Sequence, residues 1–163
     1  MSDTISAQVV ADYFIALSND TQNLVSNLKL QKLVYYVEAW YLAVYGEPLF
    51  KEDFEAWVHG PVVRALYEKY KGFSWKPIVQ NTKENDSEKI FNQLPKEVQV
   101  ILQDVVEEYF GLTAFELERL THAEDPWKSA REGLGNQENS NTVISKDSMQ
   151  EFYSNLLTTA NGA

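Results

Sequence analysis

Two histidines are the only imidazoles in this chain of 163 residues, and each sits beside a distinctive turn, His59 in VHGPV and His122 in THAEDPW. Imidazole titrates near neutrality and ligates metals, so a fold joining His59 and His122 with Glu124 or Asp125 would make an acid–base or metal site. The competing reading is structural: each ring fixes its turn by bonding a backbone carbonyl. Spacing favours the second, since neither HxxxH nor HxxE is present. Residue types shut out other chemistries. There is no cysteine to serve as nucleophile or ligand, no serine lies in GxSxG, and the seven glycines form no phosphate-binding loop. No catalytic residue, metal or cofactor is expected, and an enzyme with its site at His59 and His122 is kept as an alternative.

A partner-binding surface is the stronger expectation. Trp57 and Trp127 flank the same two turns, and tryptophan, tyrosine and arginine dominate interface hot spots. Both tryptophans also suit the core, because aromatics at element ends usually pack inward. Arg64 and Tyr67 share one face of a helix beside His59, although Tyr67 is also in register with Val63 and Tyr70 for burial. Trp57, His59, Arg64, Tyr67, His122 and Trp127 are therefore the candidate partner-binding residues.

These side chains must be positioned by helices. From Leu33 to Tyr45 the one charged residue is Glu38, and a helix apolar nearly all round belongs inside a domain. Lys29, Gln31, Lys32 and Glu38 give it a narrow polar strip, and Leu33, Val37 and Trp40 mark its buried centre. It is too short for a bilayer, which takes about 20 residues. Gly46 supplies a left-handed cap and Pro48 prevents continuation. Gly60-Pro61 predicts the start of the next helix, with proline at its first position; Leu66 and Tyr70 lie in its stripe and Gly72 closes it. Ser6 caps an N-terminal helix holding Val10, Tyr13 and Phe14.

Gln80–Asn92 reads as a polar loop. Pro95 opens a helix that Gly111 ends, and Thr113 with Glu116 forms a capping box for another running to about His122. Pro126 starts a short further turn, Gly133–Thr142 is a polar loop, and Ser145 caps the last helix. Thr158–Ala163 is expected to fray. A small edge sheet would draw on Leu49–Val58, Phe73–Val79 and Thr142–Ile144. The fold class is mainly α: a single compact domain, residues 1–163, around a buried central helix.

The net charge of −10 and pI near 4.6 disfavour direct nucleic-acid binding, because neutralising phosphates needs a cationic surface. Aromatics crowd between Tyr35 and Trp75, but base-stacking also wants a basic groove, and acids dominate Glu47–Glu55. An acidic surface favours basic partners. The absence of cysteine and the polar start Met1–Thr4, without a basic region or apolar run, point to a cytoplasmic protein with no membrane partner.

The blocks KLQKLVYYVEAWYLAVYGEPLF, EAWVHGPVVRALYEKYK and LTHAEDPW occur in that order, and together they closely resemble the Panacea domain family, also called the SocA-like or GepA-like phage-associated domain. The resemblance covers about residues 5–157. It implies an antitoxin, encoded beside a small cognate toxin that it neutralises by direct binding. Many members carry an extra DNA-binding segment, for which this chain is expected to have no N-terminal room. An adaptor passing a bound protein to a protease or chaperone is the first alternative.

Overall fold

Helix α2, Asn27–Tyr45, runs through the middle of the protein, with Leu30, Leu33, Val34, Tyr36 and Val37 all 0% exposed. The computed structural model describes residues 5–80 and 86–162. Ser26 caps the helix through Lys29 N, and Gly46 ends it at φ 74°, where its N–H reaches the Leu42 carbonyl at 2.9 Å. A left-handed position here is what the glycine supplies. Trp40 is half-buried, packing against the rim of the core and not at its centre.

The polar strip expected on α2 is not a surface strip. Gln31, Lys32 and Glu38 are 0% exposed and Lys29 is 7% exposed. Each reaches a polar group on a distant segment, which is the condition for burying it. Lys29 Nζ donates to the Phe110 carbonyl at 2.6 Å, Gln31 Oε1 accepts from Val63 N at 3.0 Å, and Lys32 Nζ donates to the Pro61 carbonyl at 3.3 Å. Glu38 accepts from Leu49 N at 2.7 Å and Lys146 Nζ at 2.8 Å. The central helix thus ties down the connections around it.

Helix α1, Ala7–Asp20, is capped by Ser6 as expected and packs on α2. Strands β1, Phe54–Trp57, and β2, Gly60–Val62, form an antiparallel hairpin pairing Trp57 with Gly60 and Ala56 with Pro61. Strand β3, Val143–Ile144, pairs antiparallel on the other side, giving the order β2-β1-β3. The expected helix start at Gly60-Pro61 is therefore corrected. Gly60 takes φ 112° as the hairpin returns, and Pro61, which lacks an N–H, sits on the sheet's edge strand, where that loss is tolerated. Helix α3, Arg64–Tyr70, begins after Val63, whose N–H is taken by Gln31.

The expected strand at Phe73–Val79 is also corrected. Lys71–Phe73, including Gly72, forms a 3₁₀ turn, and the left-handed residue is Ser74 at φ 57°. Beyond it, only a bridge from Ser26 to Pro77 is strand-like, and Trp75 and Val79 are 78% and 60% exposed. Part of the expected polar loop is helix α4, Asp86–Asn92; residues 81–85 of that loop lie outside the described residues. Asp20 at the end of α1 accepts from Ser87 N at 3.1 Å and Ser87 Oγ at 2.6 Å. Asp20 thus bonds the first turn of α4 from a distant segment.

Helix α5, Lys96–Val105, passes into a π-helical turn, Val106–Phe110, before Gly111. Helix α6, Ala114–Ala123, opens on the Thr113–Glu116 capping box, which satisfies two orphan backbone donors reciprocally. Helix α7, Asp125–Ala130, carries Pro126 in its first turn, and helix α8, Lys146–Gly162, lies along α2. Helix α8 continues through most of the stretch expected to fray; Ala163 is outside the described residues. Mainly helical architecture with a small edge sheet is the fold.

Candidate functional site

The β1–β2 hairpin projects its Val58–His59 turn between α3, α6 and the 133–142 loop, and every candidate residue gathers around it. On one side lies a groove of about 990 Å³, walled by Trp57, His59, Arg64 and Tyr67, with Asn27 and Gln31 of α2 and the amides Gln137, Asn139 and Asn141 opposite. On the other lies a smaller hollow of about 460 Å³, lined by Glu118, His122 and Trp127. The sequence placed the two histidine turns in separate blocks; the fold makes them neighbours.

Trp57 is half-buried and Tyr67 packs against it edge-on, with centroids 4.8 Å apart. This is a preferred aromatic geometry. Arg64 lies 5.4 Å from the Trp57 ring and grips Glu55 through Nη2–Oε1 at 2.9 Å and Nε–Oε2 at 3.1 Å. Trp57 Nε1 donates to the same carboxylate at 2.8 Å. Desolvation pulls the Glu55 carboxyl upward, but its bonds to Arg64 and Trp57 and the guanidinium charge prevail and hold it below the usual range. The guanidinium thus orders the indole while staying exposed.

His59 is exposed, its Nδ1 lying 3.2 Å from Glu118 Oε2. His122 stacks flat on Trp127, with centroids 3.9 Å apart and an 11° interplanar angle. Burial above all lowers the His122 pKa; Glu118 pulls it back upward, while Lys32 and His59 press it further down. The Val58 backbone accepts a hydrogen bond from this ring, and Nε2 is buried without a partner among the described residues. Trp127 is buried, and its Nε1 donates to the Trp57 carbonyl at 2.8 Å. Arg131 covers its ring at 5.1 Å and donates to the carbonyls of Ala56, Gly135 and Glu138. So Trp127 and His122 support the hairpin from behind, and Trp57, His59, Arg64 and Tyr67 face the groove.

The acid–base set of the alternative reading does not assemble. Glu124 points into the core, accepting from Tyr36 and Tyr153 hydroxyls at 2.7 Å each, and Asp125 faces solvent 3.9 Å from Lys128. Burial raises the Glu124 carboxyl despite those two hydroxyls. Among the described residues no group of His, Cys, Asp and Glu could hold a metal ion. No helix there is long and apolar enough to cross a membrane.

Sequence reasoning missed Glu55, Glu118, Arg131, Gln31 and Lys32 as parts of this site. Glu55, Glu118 and Arg131 carry no local signal. Gln31 and Lys32 did: polar residues within an otherwise apolar helix must be partnered when buried.

The family described as "Antitoxin SocA-like, Panacea domain" matches residues 30–128, a span holding all six candidate residues. Antitoxin SocA of Caulobacter vibrioides (strain NA1000 / CB15N) is 31% identical over 83 residues. That alignment takes in 51% of this chain and 44% of the relative, so less than half of the relative's length is spanned. No solved structure matches the chain.

Proposed function

This chain belongs to the SocA-like antitoxin family with its Panacea domain, and from that premise we propose that it acts as an antitoxin, neutralising a cognate cytoplasmic toxin by binding it directly through the hairpin groove. One observation carries the choice of surface: Trp57, His59, Arg64 and Tyr67, all within the family-matched span, line a single groove of about 990 Å³. The polar groups on this wall are already partnered, Arg64 with Glu55, Lys71 with Glu68 and His59 with Glu118. Contact there is therefore aromatic and hydrogen-bonded more than ionic, with rigid rings as anchors. The net charge of −10 acts at longer range, speeding encounter with a basic partner.

The test is co-expression with the product of the adjacent reading frame. Growth rescue, with the two proteins co-purifying as a complex that Trp57→Ala weakens, supports the reading. Rescue without association that vanishes on deleting a cellular protease would replace it with the adaptor.

A further inference from the structure

We propose that Lys32 is the positioning residue of this site: from inside the fold, its side chain holds the β1–β2 hairpin in the shape that offers Trp57 and His59 to the groove. The inference rests on the groove reading for its function, but its structural part concerns this chain alone.

Lys32 is 0% exposed, and its Nζ donates to the Pro61 carbonyl at 3.3 Å. Its stem runs directly beneath the hairpin. A Cβ on Gly60 would collide with Lys32 Cε and press on Thr121 Oγ1 at 3.0 Å, so the lysine tip would have to move aside. Lysine and hairpin glycine therefore lie in direct contact, and at φ 112° a side chain on Gly60 is strained in any case. The titratable groups that face the amine are Glu118 and His122 from α6, and His59 of the hairpin lies with them. Glu118 attracts the amine and also meets His59 Nδ1 at 3.2 Å.

The amine is poorly served as a cation. An ammonium has three donors, and among the described residues one carbonyl takes a hydrogen bond from it. Burial outweighs the attraction of Glu118 and pushes its pKa down to about 7. A methionine would fill the same channel without that desolvation, and replacing buried charges by apolar residues is often neutral or stabilising. A group that contributes so little to stability here has geometry as its remaining role.

Lys32→Met in the full chain separates the two roles. The expected result is a urea midpoint at pH 7 that holds or rises. At the same time, amide exchange at Val58, His59 and Gly60 should speed up about tenfold, reporting local loosening. Affinity for the co-expressed product of the adjacent reading frame should fall about tenfold, the scale of one lost buried polar contact. A lower midpoint with hairpin exchange unchanged overturns the proposal. Should the variant not fold, NMR titration of the unaltered chain decides. The Lys32 Cε signal and the His59, Gly60 and Val62 amides should then move with one midpoint, and hairpin amides indifferent to Lys32 overturn it. If exchange speeds up while affinity holds, the hairpin clasp stands and the groove loses its place as the contact surface.

Discussion

Lys32 and Glu38 are two buried charges on the same helix, less than two turns apart, and they are satisfied very differently. Glu38 receives Lys146 Nζ at 2.8 Å, Leu49 N at 2.7 Å and Phe50 N at 3.5 Å, and Lys146 goes on to the Phe50 carbonyl at 2.6 Å. Lys32 has the Pro61 carbonyl at 3.3 Å. Both are 0% exposed, and burial displaces both from their ordinary pKa, Glu38 upward against its partners and Lys32 downward. What differs is what removal would leave behind. Deleting Glu38 takes the countercharge from a lysine and orphans two backbone donors; deleting Lys32 strands one carbonyl. Glu38 is a structural lock, and Lys32, nearer the start of α2, is a support beneath a surface.

The largest effect should come from breaking the lock. Glu38→Ala leaves the Lys146 ammonium, 15% exposed, with the Phe50 carbonyl but no countercharge, and orphans the Leu49 and Phe50 amides. Loss of one partner from a buried pair destabilises by about 3–5 kcal/mol, read as a drop in the urea midpoint. Lys146→Met should cost less alone and add little in the double variant, because the two share one network. A Glu38→Ala chain as stable as the parent would erase the contrast with Lys32.

Next comes pH. Unfolded, Lys32 stays protonated until about pH 10.4; folded, it loses its proton near pH 7. Between those values the unfolded state binds more protons, so stability rises with pH. From pH 7 to 9 the Lys32 contribution amounts to about 2–3 kcal/mol at one unit per 1.36 kcal/mol. Glu38 works with the opposite slope and elsewhere: its raised carboxyl makes stability fall as pH climbs above the ordinary glutamate range. Denaturation curves at pH 7, 8 and 9 should steepen upward for the parent and lose that rise in Lys32→Met. Parallel behaviour of the two would contradict the buried-amine account.

Gly60→Ala is expected to follow at about 1–3 kcal/mol, for a side chain forced into a left-handed backbone and a Cβ colliding with Lys32 Cε. Shortening the lysine in Gly60→Ala/Lys32→Ala should return the collision part of that loss but not the backbone part. Additive losses, measured by urea titration, would show that the stem does not fill the space under the hairpin.

Local chemistry in the sequence was enough for the ends of elements and not for their companions. Ser6, Gly46 and the Thr113–Glu116 box were legible because each cap closes within its own turn. Gly60-Pro61 satisfies both a helix start and an edge-strand turn, and what decides is distant: pairing with Ala56 and Trp57, and Gln31 occupying Val63 N. Helix α4 was read as loop because its residues are mostly polar, and the bonds of Ser87 to Asp20 come from 67 positions away. The six candidate residues were chosen by type and spacing. Their division into a groove face and a rear support depends on contacts such as Trp127 to Trp57, a bond between residues 70 positions apart.

The smallest stability effect, and the most telling for function, belongs to Arg64→Ala with Tyr67→Ala. Arg64 is exposed, so losing its pair with Glu55 should hardly move the melting curve. Glu55 keeps its bond to Trp57 Nε1, and Tyr67 is half-buried beside the groove, with its ring on Trp57 and not in the central core. Together they hold the Trp57 indole in one orientation, and a rigid aromatic anchor binds at lower entropic cost than a mobile one. Circular dichroism melting close to the parent, with affinity for the co-expressed product of the adjacent reading frame clearly reduced in a titration of the same sample, is the expected pair of results. Unfolding before any loss of affinity would make Tyr67 a core residue after all. Normal melting with normal affinity would leave Lys32 supporting a hairpin that no partner reads.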